Sequence, residues 1–103
     1  MKRGDLYPHF RGRVLDGTTG QDLSTAVGVK FIMRDSSGTV VVDDAAIVED
    51  DDEDGWVRYE WSSGDTDEAG NFDAEVEVEW VSGKPQTFPP DRYVKILIVG
   101  DLG

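Results

Sequence analysis

From Phe72 to Trp80 the chain reads Phe-Asp-Ala-Glu-Val-Glu-Val-Glu-Trp, the cleanest alternation it contains. Successive side chains of an extended strand point to opposite faces, so Phe72, Ala74, Val76, Val78 and Trp80 share one side and Asp73, Glu75, Glu77 and Glu79 the other. Wound into a helix, the same carboxylates would scatter around its circumference. The stretch is expected to be a half-buried strand with one dry and one solvated face, and a second sheet must cover the dry one. The residues before it, Gly64-Asp65-Thr66-Asp67-Glu68-Ala69-Gly70, are turn chemistry.

Other segments repeat this pattern. Phe10 and Val14 oppose Arg11 and Arg13, and Pro8 at the entry suits an edge strand because it cannot donate to a ladder. Val27, Val29, Phe31 and Met33 are expected on the core face of a central strand, with Lys30 and Arg34 opposite. Asp35-Ser36-Ser37-Gly38 then turns the chain into Thr39–Val42, which makes a hairpin. Through Ala45-Ala46-Ile47-Val48 the parity breaks, as at a bulge or where a strand changes sheets. Val57, Tyr59 and Trp61 are expected inside and Trp56 outside. Asp16 to Asp22 reads as a loop, and Gln86 to Pro90 as an extended piece whose prolines block regular pairing. In the last strand, Tyr93 to Val99, Val94, Ile96 and Ile98 face inward and Leu97 the second face.

About seven short strands without a helical period make the chain all-β, two packed antiparallel sheets in one domain over residues 1–103. The order Asp67, Ala69, Gly70, Phe72, Ala74 is similar to the turn and strand at the corner of immunoglobulin-like antiparallel β-sandwiches. Phe72 has no hydroxyl, so such a corner would be held by packing alone.

The chain carries 22 acidic and 10 basic residues, net −12. Nucleic acid and anionic membrane surfaces are therefore not expected partners. Without cysteine there is no disulfide, thiolate metal site or thiol nucleophile. No apolar run reaches signal-peptide or membrane-span length.

Several motifs occur in a familiar order: Gly4-Asp5 with Pro8, Leu15-Asp16-Gly17, Asp22-Leu23-Ser24, Val29 to Asp35, Gly55-Trp56-Val57-Arg58-Tyr59-Glu60-Trp61, Gly64-Asp65-Thr66-Asp67 with Gly70, and Lys84-Pro85-Gln86-Thr87-Phe88-Pro89. With these the chain resembles the immunoglobulin-like N-terminal domain of tailed-phage baseplate upper proteins. The resemblance implies a non-enzymatic virion component, made in the host cytoplasm, that docks on other phage structural proteins in many symmetric copies and uses no cofactor. Longer members continue into an oligomerising part that carries receptor-binding proteins. This chain stops after its last strand, so a free-standing adaptor on tail or baseplate, or a capsid decoration protein, is expected.

Several short motifs have plainer explanations. Asp50, Asp52 and Asp54 before Gly55 match the first half of a calcium loop, but the closing position is Trp61, and a solvated acidic loop suffices. Arg3-Gly4-Asp5 spells an adhesion tripeptide, a motif frequent by chance. Glu75 and Glu77 in the carboxylate row, and the aromatics Trp56 and Tyr7, are the candidate partner contacts. The alternative function is a carbohydrate-binding module stacking sugars on Trp56, Trp80 or Tyr93. His9, the only histidine, has no evident catalytic companion and is expected at the surface or an edge.

Overall fold

A computed structural model describes residues 1–16, 18–49, 54–83, 85–89 and 94–100. Every regular element among them is a strand: β1 (Phe10–Arg13), β2 (Leu15–Asp16), β3 (Thr19–Gly20), β4 (Ala26–Arg34), β5 (Val40–Ala45), β6 (Ile47–Val48), β7 (Trp56–Tyr59), β8 (Gly70–Trp80), β9 (Pro85–Phe88) and β10 (Val94–Ile98). All ladders between them are antiparallel. A three-stranded sheet runs β1-β7-β6 and a five-stranded one β10-β8-β4-β5, with β9 also on β8. The two pack as a sandwich, so the chain is an all-β protein, with eight strands in two sheets plus the small hairpin β2-β3 among the described residues.

The alternating stretch is the spine. β8 pairs with β4 along nearly its whole length, and on its other edge with β10 at Gly70–Ala74 and with β9 at Val76–Glu79. Phe72, Ala74, Val76 and Val78 are buried as the alternation requires, and Trp80 is half-buried at the strand's end. They meet Val29, Phe31 and Met33 of β4 and, from the facing sheet, Val57, Tyr59 and Trp61. The interior divides into a group around Phe31, Tyr59 and Trp61 and one around Val14, Val57 and Val78, with Phe10 and Ala46 packed against both. Aromatic geometry locks the first: the Phe31 ring stacks on Tyr59 at 4.7 Å, and Trp61 meets both edge-on at 5.6 and 5.4 Å.

The break in parity at residues 45–48 is a change of sheet. β5 belongs to the five-stranded sheet and β6 to the three-stranded one, and between them the Ala46 N–H donates to Val29 O at 2.9 Å. That crossing closes one side of the sandwich.

Three expectations are corrected. Val27 is 65% exposed, not in the core, because the β4/β8 register slips between Ala26 and Gly28 and turns it outward. Within the expected loop at 16–22, Leu15–Asp16 and Thr19–Gly20 pair as a tight hairpin. The proline-rich piece at 85–88 does pair: Pro85 opens β9 on the sheet edge, where a missing N–H is tolerated.

Candidate functional site

The turn after β7 is pinned by one carboxylate. Tyr59 Oη donates to Asp65 Oδ2, and the Ser62 N–H donates to the same oxygen at 2.9 Å. Next to it Thr66, buried, donates its hydroxyl to Asp5 O at 2.8 Å, tying the N-terminal segment down. Burial first, and then the bond to Asp65, push the Tyr59 phenol above its ordinary range. A phenol raised in the folded state keeps its proton when the unfolded chain has lost it, so stability is full below about pH 10 and falls as pH rises beyond it. Chemical denaturation between pH 8 and 12 is expected to show this loss, and Tyr59→Phe should flatten it by up to about 1.4 kcal/mol per pH unit. An unchanged slope in the variant would contradict the assignment.

The outer face of the three-stranded sheet is an arginine and tryptophan surface. Arg11 of β1 lies in register with Arg58 of β7, and Arg13 with Trp56. Two like charges directly opposite repel. Here each has a carboxylate: Glu49 accepts from Arg11 Nε at 2.9 and 3.0 Å and from its Nη2 at 2.8 Å, and Glu60 accepts from Arg58 Nε at 2.8 Å. Those bonds hold both glutamates below the usual carboxylate range. Trp56 faces outward as expected but is half-buried, with the Arg11 guanidinium 3.9 Å from its ring and that of Arg13 at 5.5 Å, a cation–π contact.

On the outer face of the five-stranded sheet the carboxylates of β8 lie between cations from both neighbouring strands. Asp73 pairs with Lys95, Glu75 with Arg34 at 3.2 Å, and Lys30 reaches Asp43 at 3.9 Å. Glu77 stands in register with Lys30 and Thr87, and Glu79 with Gly28 and Pro85. Ile32 is buried on this outward face, with Lys30 and Arg34 on either side of it along the strand and Glu75 and Asp43 across from it. Long charged side chains that lie along a sheet cover apolar surface with their stems.

A third feature lies between the sheets. Where β1 and β10 are both edge strands, a groove of about 270 Å³ opens over Phe10, Trp61 and Ile96. His9, Arg11 and Lys95 line it, and the Trp61 indole N–H donates to Pro8 O at 3.0 Å in its wall. Nothing in the sequence announces it, because β1 and β10 lie at opposite ends of the chain.

The remaining candidates separate. Asp50 and Asp52 lie outside the described residues; the third calcium candidate, Asp54, accepts from the Arg13 side chain. Of the three carbohydrate candidates Tyr93 also lies outside them, while Trp56 and Trp80 belong to different sheets, and the Trp80 indole N–H is committed to Gln86 Oε1 at 3.0 Å. These two cannot form one stacking platform. Tyr7 is 72% exposed, its ring 4.6 Å from the His9 imidazole. Arg3-Gly4-Asp5 is a hydrogen-bonded turn, Gly4 at φ +82° and its N–H on Thr66 O at 2.8 Å.

These features define a packed all-β sandwich with charged outer faces and an open edge groove. No protein-family model, curated protein or solved structure matches the chain.

Proposed function

We propose that the chain is a non-enzymatic structural module of a tailed-phage virion, an adaptor or decoration unit that docks by surface complementarity on another virion protein. The observation that carries the reading is the ordered set of motifs from Gly4 to Pro89. Their structural roles are those of a scaffold more than of a reaction centre: Tyr59 and Trp61 fill the core, Asp65 pins the turn to Tyr59, Thr66 fastens it to the N-terminal segment, and Thr87 and Phe88 form an edge strand. Partner contact then belongs to the outward side chains, with Trp56, Tyr7, Glu75 and Glu77 as candidates. Many copies on one particle make a modest affinity per copy sufficient, since a symmetric array raises the effective concentration of each contact.

Quantitative mass spectrometry of purified particles tests this. The chain is expected in a fixed copy number that is a small multiple of the particle's symmetry; absence from washed particles would end the proposal.

A further inference from the structure

The sandwich is closed on one side by the β5 to β6 crossing and open on the other, where the groove lies between β1 and β10. Hydrogen-bond direction shows what these edges present. The Val14 N–H bonds to Gly55 O, which turns the even residues of the β1 segment toward β7 and the N–H and C=O of Arg11 away from it. Along β10 the Leu97 C=O and the Val99 N–H bond to Met1, so odd residues point away from β8. Residues 1–3 cover that edge at 97–99 and no further. The N–H and C=O of Lys95 and the N–H of Leu97 are left without a backbone partner among the described residues.

The chemistry of the groove is equally one-sided. Its floor is apolar, Phe10, Trp61 and Ile96, and its ionisable side chains are His9, Arg11 and Lys95. Among the described residues no carboxylate lines it; Asp73 and Glu49, which pair with Lys95 and Arg11, are not among its lining residues. The free edge on the far side of the five-stranded sheet, β5, carries Asp43 and Asp44 instead, the charged guard by which edge strands discourage pairing.

From these observations we infer that the groove is a docking slot for an extended segment of a partner protein in which apolar side chains alternate with carboxylates. The segment adds as a strand between the two open edges: its main chain bonds to Lys95 and Leu97 on one side and to Arg11 on the other, its apolar side chains settle over Trp61 and Ile96, and its carboxylates face Lys95 and His9. Backbone pairing supplies affinity, and the alternate pockets and charges supply selectivity. The inference does not depend on the partner belonging to a virion.

The full-length chain, isotope-labelled, is titrated with a peptide of alternating valine and glutamate about eight residues long, enough to span the groove. A valine and lysine peptide of equal length is the control. The acidic peptide is expected to shift the amides of Arg11, Lys95 and Leu97 with a dissociation constant on the order of 100 µM, while the basic one leaves them in place. Lys95→Glu, at a side chain that is 76% exposed and paired with Asp73, should weaken the acidic peptide ~10-fold and Lys95→Ala by less. Overturning results are no shifts at millimolar peptide, shifts centred on residues 40–45, or equal responses to both peptides.

Discussion

Replacing Phe31 with alanine is expected to remove about 3–5 kcal/mol of stability, a large share of the roughly 5–15 kcal/mol that holds a domain of this size together. Phe31 is fully buried, and its ring touches Phe10, Tyr59 and Trp61 at centroid distances of 4.7, 4.7 and 5.6 Å. Three of those four rings come from different strands, β1, β4 and β7, so the cavity would open where the two sheets are joined. The surrounding rings are stiff and cannot collapse into the space. Urea unfolding followed by tryptophan fluorescence should show the midpoint falling with an unchanged slope, the signature of lost stability in the same two-state transition. Phe31→Leu keeps most of the volume and should lose far less. A loss below about 1 kcal/mol for the alanine variant would mean that the aromatic group is not the centre of the core.

Gly55→Ala is expected to cost about 2–4 kcal/mol, through two separable effects. Gly55 has φ +83°, a conformation that side chains resist, and an added Cβ would stand 2.3 Å from Val14 O and 2.9 Å from the Gln21 N. Those are backbone atoms held by their own bonds, Val14 N–H to Gly55 O and Gln21 N–H to Val14 O, each 2.8 Å, so nothing there can step aside cheaply. Gly38 supplies the comparison: its φ is +89° and no atom lies within 4 Å of a Cβ added there. Gly38→Ala should lose only the conformational part, about 1–2 kcal/mol, and the excess at Gly55 measures the collision. Equal losses at both positions would show that Val14 and Gln21 move to make room.

The positions legible from the residues are those where one strand's burial follows from its own alternation. Phe72, Ala74, Val76 and Val78 on β8, Val57, Tyr59 and Trp61 on and after β7, and Val29, Phe31 and Met33 on β4 needed no knowledge of their partners. Val27 shows where that logic stops: it keeps the parity of its neighbours, but a register slip against β8 turns it into solvent. A slip is a property of a pair of strands. The same holds for β9, since Pro85 to Phe88 has little strand character alone and pairs because the long edge of β8 extends beyond β10. The β2-β3 hairpin likewise depends on a Gly20 that approaches the backbone of Asp54 too closely for any side chain.

The surfaces divide the same way. That Glu75 and Glu77 face outward was readable from the alternation; that Arg34 meets Glu75 while Lys30 leans to Asp43 was not. Trp56 was placed outward, yet its cover by Arg11, itself held by Glu49, joins residues from separate segments of the chain. The Tyr59 hydroxyl reaches Asp65 across the turn that follows its own strand, a bond that no periodicity announces.

By itself, then, the order of residues determined the all-β class, the dry face of each strand and the charge carried by the opposite face, because these follow from a two-residue period that acts within a single segment. Which strands became neighbours, where the chain crossed between sheets, and the groove between β1 and β10 were decided only by the tertiary structure. Such features arise from contacts between residues far apart along the chain, and no local periodicity encodes which distant edge a strand will meet.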